Sequence, residues 1–205
     1  MTGWTRHTGT AIALDLENVD TDQLIPARFM STPRSEGYGQ FLLHDLRRDA
    51  DGAALPDVPL NRWPEASVIV TRRNFGSGSS REAAVYALVD FGIRAVIAPS
   101  FGDIFASNAV NNGLLPARVA PDLAAEMIAR IGADAAPAEV DLAARTLGVG
   151  GISTGFDLDK VWREKLMNGW DDIDLTRTHG AEIAAFRDRR LTTSDWAVPP
   201  GETAR

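Results

Sequence analysis

The sequence of 205 residues predicts a single α/β domain, a mixed and partly parallel β-sheet flanked by helices. Three observations predict it. Short β-branched runs at 66–71 and 94–99 have the composition of strands buried on both faces. Each is followed by a stretch of helical periodicity, and two such units in succession favour parallel pairing through a crossover helix. Further along, residues 138–142 and 145–149 read as a hairpin, which adds antiparallel strands. A hydrophobic content of 44% over this length suits one core. The domain is expected to span 1–198, with a flexible tail at 199–205.

In chain order, residues 8–16 carry Ile12, Leu14 and Leu16 on one side and read as the first strand. Asn18, Asp20 and Asp22 then break the pattern with side chains that favour turns and caps. From 30 to 63 the periodicity loosens around Pro33, Gly37, Gly39, Gly52, Pro56 and Pro59, so a long, partly mobile loop is expected, with a short helix near 41–47. After the strand at 66–71 and a glycine-rich turn, Ala84, Leu88 and Phe91 give the next helix one apolar face. A helix at 100–109 follows the strand at 94–99. Asn111-Asn112-Gly113 ends it, and Leu114-Leu115-Pro116 begins another strand.

Residues 122–131 form an amphipathic helix with Leu123, Met127, Ile128 and Ile131 apolar. After the hairpin, 152–156 is one more strand. Asp159 caps a helix running to Leu166, and Asn168-Gly169 stops it. A last helix at 178–190 is expected to turn Ile183 and Phe186 inward.

The chemistry concentrates at 74–88, Asn-Phe-Gly-Ser-Gly-Ser-Ser-Arg-Glu-Ala-Ala-Val-Tyr-Ala-Leu. Gly76 and Gly78 permit backbone conformations closed to other residues and close approach of a ligand. The turn delivers a helix N-terminus, with unsatisfied N–H groups and the positive end of the dipole, beside an Arg81 guanidinium able to grip a carboxylate. Ser79-x-x-Glu82 also matches a capping box, which would give both residues a structural role. The spacing lacks the third glycine of a dinucleotide fingerprint, the Gly-Lys-Ser/Thr of a P-loop and the Gly-x-Ser-x-Gly of a nucleophile elbow. Cofactor phosphates are thereby disfavoured, and nothing supports a serine-hydrolase triad.

Composition narrows the classes further. There are no cysteines, and His7, His44 and His179 are scattered, so the chain offers no disulfide, no thiolate ligand and no zinc-type spacing; His44 reads as a surface residue. No stretch has the ~20 apolar residues of a membrane span, and the expectation is a cytoplasmic protein without membrane contact. A net charge of −7 argues against nucleic acid. An anionic ligand would need a local positive pocket, with Arg81 joined by Arg28, Arg72 or Arg73.

The segment 74–82 resembles the active-site loop of the aconitase-type swivelling domain, in the version found in the small-subunit family of 3-isopropylmalate dehydratase. Asn18-Val-Asp-Thr-Asp-Gln-Leu-Ile-Pro-Ala-Arg-Phe29, Val96-Ile-Ala-Pro-Ser-Phe-Gly-Asp-Ile-Phe105, Asn111-Asn-Gly-Leu-Leu-Pro116 and Asn168-Gly-Trp-Asp-Asp-Ile-Asp-Leu-Thr176 agree in order and spacing. The resemblance implies a hydro-lyase that interconverts 2- and 3-isopropylmalate through isopropylmaleate in leucine biosynthesis. It implies a large-subunit partner in a heterodimer, with a 4Fe–4S cluster on that partner and no cofactor in this chain. Ser79 would then be the base and Arg81 the carboxylate clamp, with Ser80, Gly78, Arg28 and Asp22 binding a small dicarboxylate. The segment after Asp22 and the 30–63 loop would take part in substrate choice and partner contact.

The sequence departs from the family pattern at Ser77, where cysteine is common, at Ala83, usually histidine, at Val85, usually proline, and at Trp162, usually arginine. A paralogous hydro-lyase subunit for a related 2-hydroxy acid, or a non-catalytic carboxylate-binding partner subunit, stays open on the sequence.

Overall fold

In a computed structural model the described residues are 2–194 and 196. They divide into two units, 1–170 and 171–205; the tail expected at 199–205 lies outside the described residues. The first unit is built on one seven-stranded sheet in the order β4-β3-β2-β1-β5-β6-β7. Strands β1 (Arg6–Leu14), β2 (Val68–Thr71), β3 (Ala95–Ala98) and β4 (Leu115–Arg118) are mutually parallel. Strands β5 (Ala135–Asp141), β6 (Thr146–Val149) and β7 (Ile152–Gly155) are antiparallel, β5 pairing with β1. This is the mixed α/β sheet that the sequence predicts.

All four residues of β2 and of β3 are buried, which is why these strands read as unbroken apolar runs. Because side chains alternate across a strand, Ile12, Ile69 and Val96 join a core on one face, and Ala11, Val68, Val70, Ala95 and Ile97 join a second core on the other. The first face is covered by α1 (Thr21–Leu24), α4 (Glu82–Phe91) and α5 (Asp103–Asn111), and the second by α6 (Pro121–Ile131). In α6 the buried side chains are Ala124, Met127, Ile128 and Ile131. Trp162, on α7 (Lys160–Asn168), packs against both cores. There it fills apolar space. Asp159 accepts from the Val161 and Trp162 N–H groups and Gly169 takes φ 71°, so this helix starts and stops as the sequence indicates.

Two expectations, for Leu16 and for the last helix, are corrected. The connection at 30–63 carries 3₁₀ turns at Arg34–Glu36 and Gly39–Phe41, α2 (His44–Arg47) within the short helix expected near 41–47, and α3 (Pro59–Arg62). Tyr38, Leu42, Leu43 and Leu60 anchor it in the core, and isolated apolar residues in one-turn helices leave no period to read. Leu16 lies past the end of β1 and is 37% exposed.

In the second unit, α8 (Asp172–Arg177) and α9 (Gly180–Thr193) contain no buried residue, and Ile183 and Phe186 face solvent, 48% and 61% exposed. Two helices by themselves carry too little apolar surface to enclose a core of their own.

Candidate active site

Three loops at the carboxyl-terminal ends of adjacent parallel strands meet at one place, where open α/β sheets ordinarily bind ligands. Residues 15–20 leave β1, 72–81 leave β2 and 99–102 leave β3. The middle loop is pinned from both sides. Towards β1, the Gly76 N–H donates to Val19 O at 2.7 Å, the Thr21 N–H to Ser77 O at 2.9 Å and the Thr21 hydroxyl to Ser79 O at 2.9 Å. Towards β3, Phe75 N–H donates to Ser100 O at 3.1 Å, and Gly102 N–H to Phe75 O at 2.9 Å. Asn18 and Asn74, both in the left-handed region at φ 55° and 63°, lock the two flanking turns, the Asn74 amide donating to Asn18 Oδ1 at 2.8 Å.

Phe75 is the plug beneath the loop. It is fully buried and meets Phe105 edge-on at 5.4 Å between ring centres. Gly76, at φ 73°, lies so close to the Phe105 ring that any Cβ there would overlap it. Gly78, at φ 93°, has room for a methyl group and is required for its dihedral alone.

Above this floor lies a cavity of about 230 Å³ lined by Thr21, Ser77, Gly78, Ser79, Arg81 and Asp103 among others. A larger cleft of about 630 Å³, lined by Arg118, Arg145 and Asp157, offers no comparable set of hydroxyls at a helix start. The smaller cavity is therefore the candidate site.

Ser79 is exposed, with its hydroxyl free of any cap bond, because α4 begins at Glu82 with Arg81 in the N-cap position and no side-chain cap. The capping box expected from Ser79-x-x-Glu82 is thus absent. Glu82 instead accepts from the Asn112 amide at 2.9 Å, and it is the Ser79 carbonyl that is held, by Thr21. Ser80 is exposed and lies outside the cavity lining.

Arg81 lines the cavity, and its guanidinium is paired with the Asp22 carboxylate on α1. Arg28 is drawn elsewhere: it is paired with Asp45 and stacked 4.5 Å from the Phe29 ring centre, away from the cavity. That pairing and the His44 ring beside it hold the Asp45 carboxyl at about 2. His44 is engaged with Asp45, consistent with a surface role. Arg72 and Arg73, expected to enrich a positive pocket, are paired with Asp15 and Glu17. Arg81 is thus the cavity's arginine.

Sequence reasoning missed Thr21, Ser100 and Asp103. Thr21 sits between two aspartates that drew the eye, and only the folded contact with Ser79 reveals it. Ala83 and Val85, two of the departures from the family pattern, are buried on the core side of α4, so neither faces the cavity.

A glycine-framed serine and arginine thus meet at a helix start, on the carboxyl ends of a parallel sheet. The family model described as the Aconitase C-terminal domain matches residues 1–122. Relatives include the 3-isopropylmalate dehydratase small subunit of Shouchella clausii, 44% identical over 187 residues and covering 90% of this chain and 94% of that one. Its counterpart in Caulobacter vibrioides is 43% identical over 199 residues, covering 96% and 98%. A solved 3-isopropylmalate dehydratase structure from Methanocaldococcus jannaschii superposes with a TM-score of 0.64 at 26% identity, covering 88% of this chain and 98% of that one. The chain belongs to the 3-isopropylmalate dehydratase small-subunit family.

Proposed function

We propose that this chain is the small subunit of a 3-isopropylmalate dehydratase, a hydro-lyase that interconverts 2- and 3-isopropylmalate by dehydration and rehydration and works only with its large subunit. The observation that carries the reading is the placement of Ser79 and Arg81 on one cavity at the start of α4, in a chain 44% identical to a relative so named.

In this reading Arg81 holds a substrate carboxylate through two parallel hydrogen bonds. Ser79 Oγ, as the alkoxide, takes the carbon-bound proton. As that proton leaves, the hydroxyl departs from the neighbouring carbon to give isopropylmaleate; water then adds to the carbon that lost the proton while the same oxygen returns a proton to the carbon that lost the hydroxyl, which yields the isomer. A serine hydroxyl is a very weak acid, so the alkoxide needs the N–H groups and positive dipole end of α4 beside it. Gly78, at φ 93°, supplies the left-handed turn that leads into Ser79, while Thr21 fixes the Ser79 carbonyl and so the loop's position.

With no cysteine in the sequence, and no group of three His, Asp or Glu suited to a metal among the described residues, this chain's side chains do not fit a 4Fe–4S cluster. The cluster is assigned to the large subunit, where it would supply Lewis acidity toward the departing hydroxyl. Among the described residues no helix is long and apolar enough to cross a membrane. The proposed setting is the cytoplasm and the proposed ligand a small dicarboxylate; the net charge of −7 disfavours nucleic acid.

The test is reconstitution. The purified chain should be colourless and inactive, and turnover followed by isopropylmaleate absorbance under anaerobic conditions should appear when the large subunit is added. Turnover by the isolated chain, or none from the assembled pair, contradicts the proposal.

A further inference from the structure

The pair formed by Arg81 and Asp22 is asymmetric. The Arg81 side chain is 19% exposed and that of Asp22 is 55% exposed. A largely buried guanidinium requires a counter-anion, since stripping it of both water and partner is costly. A half-exposed carboxylate does not, because on release it turns into water.

The backbone carrying Asp22 is fixed independently of this pair. Asp20 caps α1, its Oδ1 accepting from Gln23 N–H at 2.7 Å while its own N–H donates to Gln23 Oε1 at 2.9 Å. Thr21, 2% exposed, is tied to the Ser77 and Ser79 carbonyls. Asp22 can therefore let go of Arg81 by side-chain rotation alone, leaving α1 and the loop in place. No equivalent exists at Arg28, whose pairing with Asp45 is exposed on both sides, 54% and 57%, and lies outside the cavity.

Resting on the function proposed above, we infer that Asp22 is a placeholder: it occupies the Arg81 fork in the empty site and yields it to the substrate carboxylate. The sequence marked Asp22 as a substrate-binding residue, but an ionised carboxylate opposes an anionic substrate; its role is competition. Exchange of one carboxylate for another keeps Arg81 compensated throughout. The device also selects by charge. An uncharged carbonyl, such as the monoamide of the substrate, cannot displace Asp22 from a guanidinium as a carboxylate does.

The experiment uses the assembled dehydratase, with Asp22→Asn, Asp22→Ser, Arg81→Lys and the Asp22→Asn/Arg81→Lys double variant, each checked by thermal melting. Freeing the fork should lower KM for 3-isopropylmalate by roughly threefold to fivefold, the range of a partly exposed ion pair. Binding of the monoamide as an inhibitor should tighten by at least as much. In the Arg81→Lys background, which keeps the charge and loses the fork, Asp22→Asn should change KM by less than about 1.5-fold, since the effect acts through the guanidinium.

An unchanged or raised KM in both Asp22 variants, with Arg81→Lys impaired, overturns the placeholder and leaves the Arg81 clamp standing. Wild-type kinetics in Arg81→Lys overturns the clamp and the placeholder with it. An equal fall in KM in both backgrounds marks a general loss of negative charge, and also overturns the inference.

Discussion

The Thr21 hydroxyl, on the segment after the first strand, donates to the Ser79 carbonyl in the loop after the second at 2.9 Å. Replacing Thr21 with Val keeps the shape and leaves that carbonyl without its donor. The expected result is a stability loss of about 1 kcal/mol, the usual worth of one such bond. In the assembled enzyme kcat should fall about tenfold, because small displacements of a reacting atom are costly. Unaltered kcat with a lowered Tm would show that the bond serves stability alone.

Gly76 and Gly151 separate two reasons for a glycine. Both have positive φ, 73° and 87°, but a Cβ at Gly76 overlaps the Phe105 ring whereas nothing lies within 4 Å of one at Gly151. Gly151→Ala should cost about 1 kcal/mol, the strain of a left-handed residue. Gly76→Ala should cost at least about 2 kcal/mol, since it adds overpacking to strain. Denaturant midpoints measure both, and equal losses would contradict the packing described at Phe105.

Asp90 fastens the 30–63 segment to α4. It accepts from Arg34 at 2.8 and 3.1 Å and from the Tyr38 N–H at 2.9 Å. Burial works against its ionisation, but the Arg34 guanidinium and the Tyr38 N–H outweigh it and hold the carboxyl below its ordinary 3.8. A folded-state value below the unfolded one means the contribution is complete above the unfolded value and fades as pH falls through the folded one. Asp90→Asn should therefore be less stable than wild type by about 1 kcal/mol at pH 7. The gap should close as pH is lowered below about 3.8. Urea unfolding at pH 7, 4 and 3 measures it, and a gap constant across that range would contradict the assignment.

The sheet was legible because its parallel strands are buried on both faces: Val68-Ile69-Val70 and Ala95-Val96-Ile97 admit no polar residue. The caps at Asp159 and Gly169 were legible because they are made within a few residues. What failed was decided at long range. Ser79 and Glu82 have capping-box spacing, yet their partners in the fold, Thr21 and Asn112, lie 58 and 30 residues away. Arg72 and Arg73 looked available for a ligand until the parallel register of Leu14 on Thr71 brought Asp15 and Glu17 alongside them. Of the site, the loop, both glycines and the cavity positions of Ser79 and Arg81 were readable from sequence. The attachment of Asp22 to Arg81 and the departure of Arg28 to Asp45 were not, because Asp20 and Asp22, two residues apart, look alike until their neighbours are placed. Ile183 and Phe186 misled for a related reason: helical spacing reveals an apolar face without revealing whether anything covers it.

The most direct test of the account is Ser79→Ala in the assembled enzyme, read by kcat and by melting temperature together. Ser79 makes no side-chain cap to α4, so the melting temperature should stay within about a degree of wild type, as for a surface substitution that breaks no native bond. Loss of the base should cut kcat by roughly 100-fold or more, with a modest change in KM. A variant that turns over within about twofold of wild type, whatever its melting temperature, would contradict the assignment of Ser79 as the residue that moves the proton.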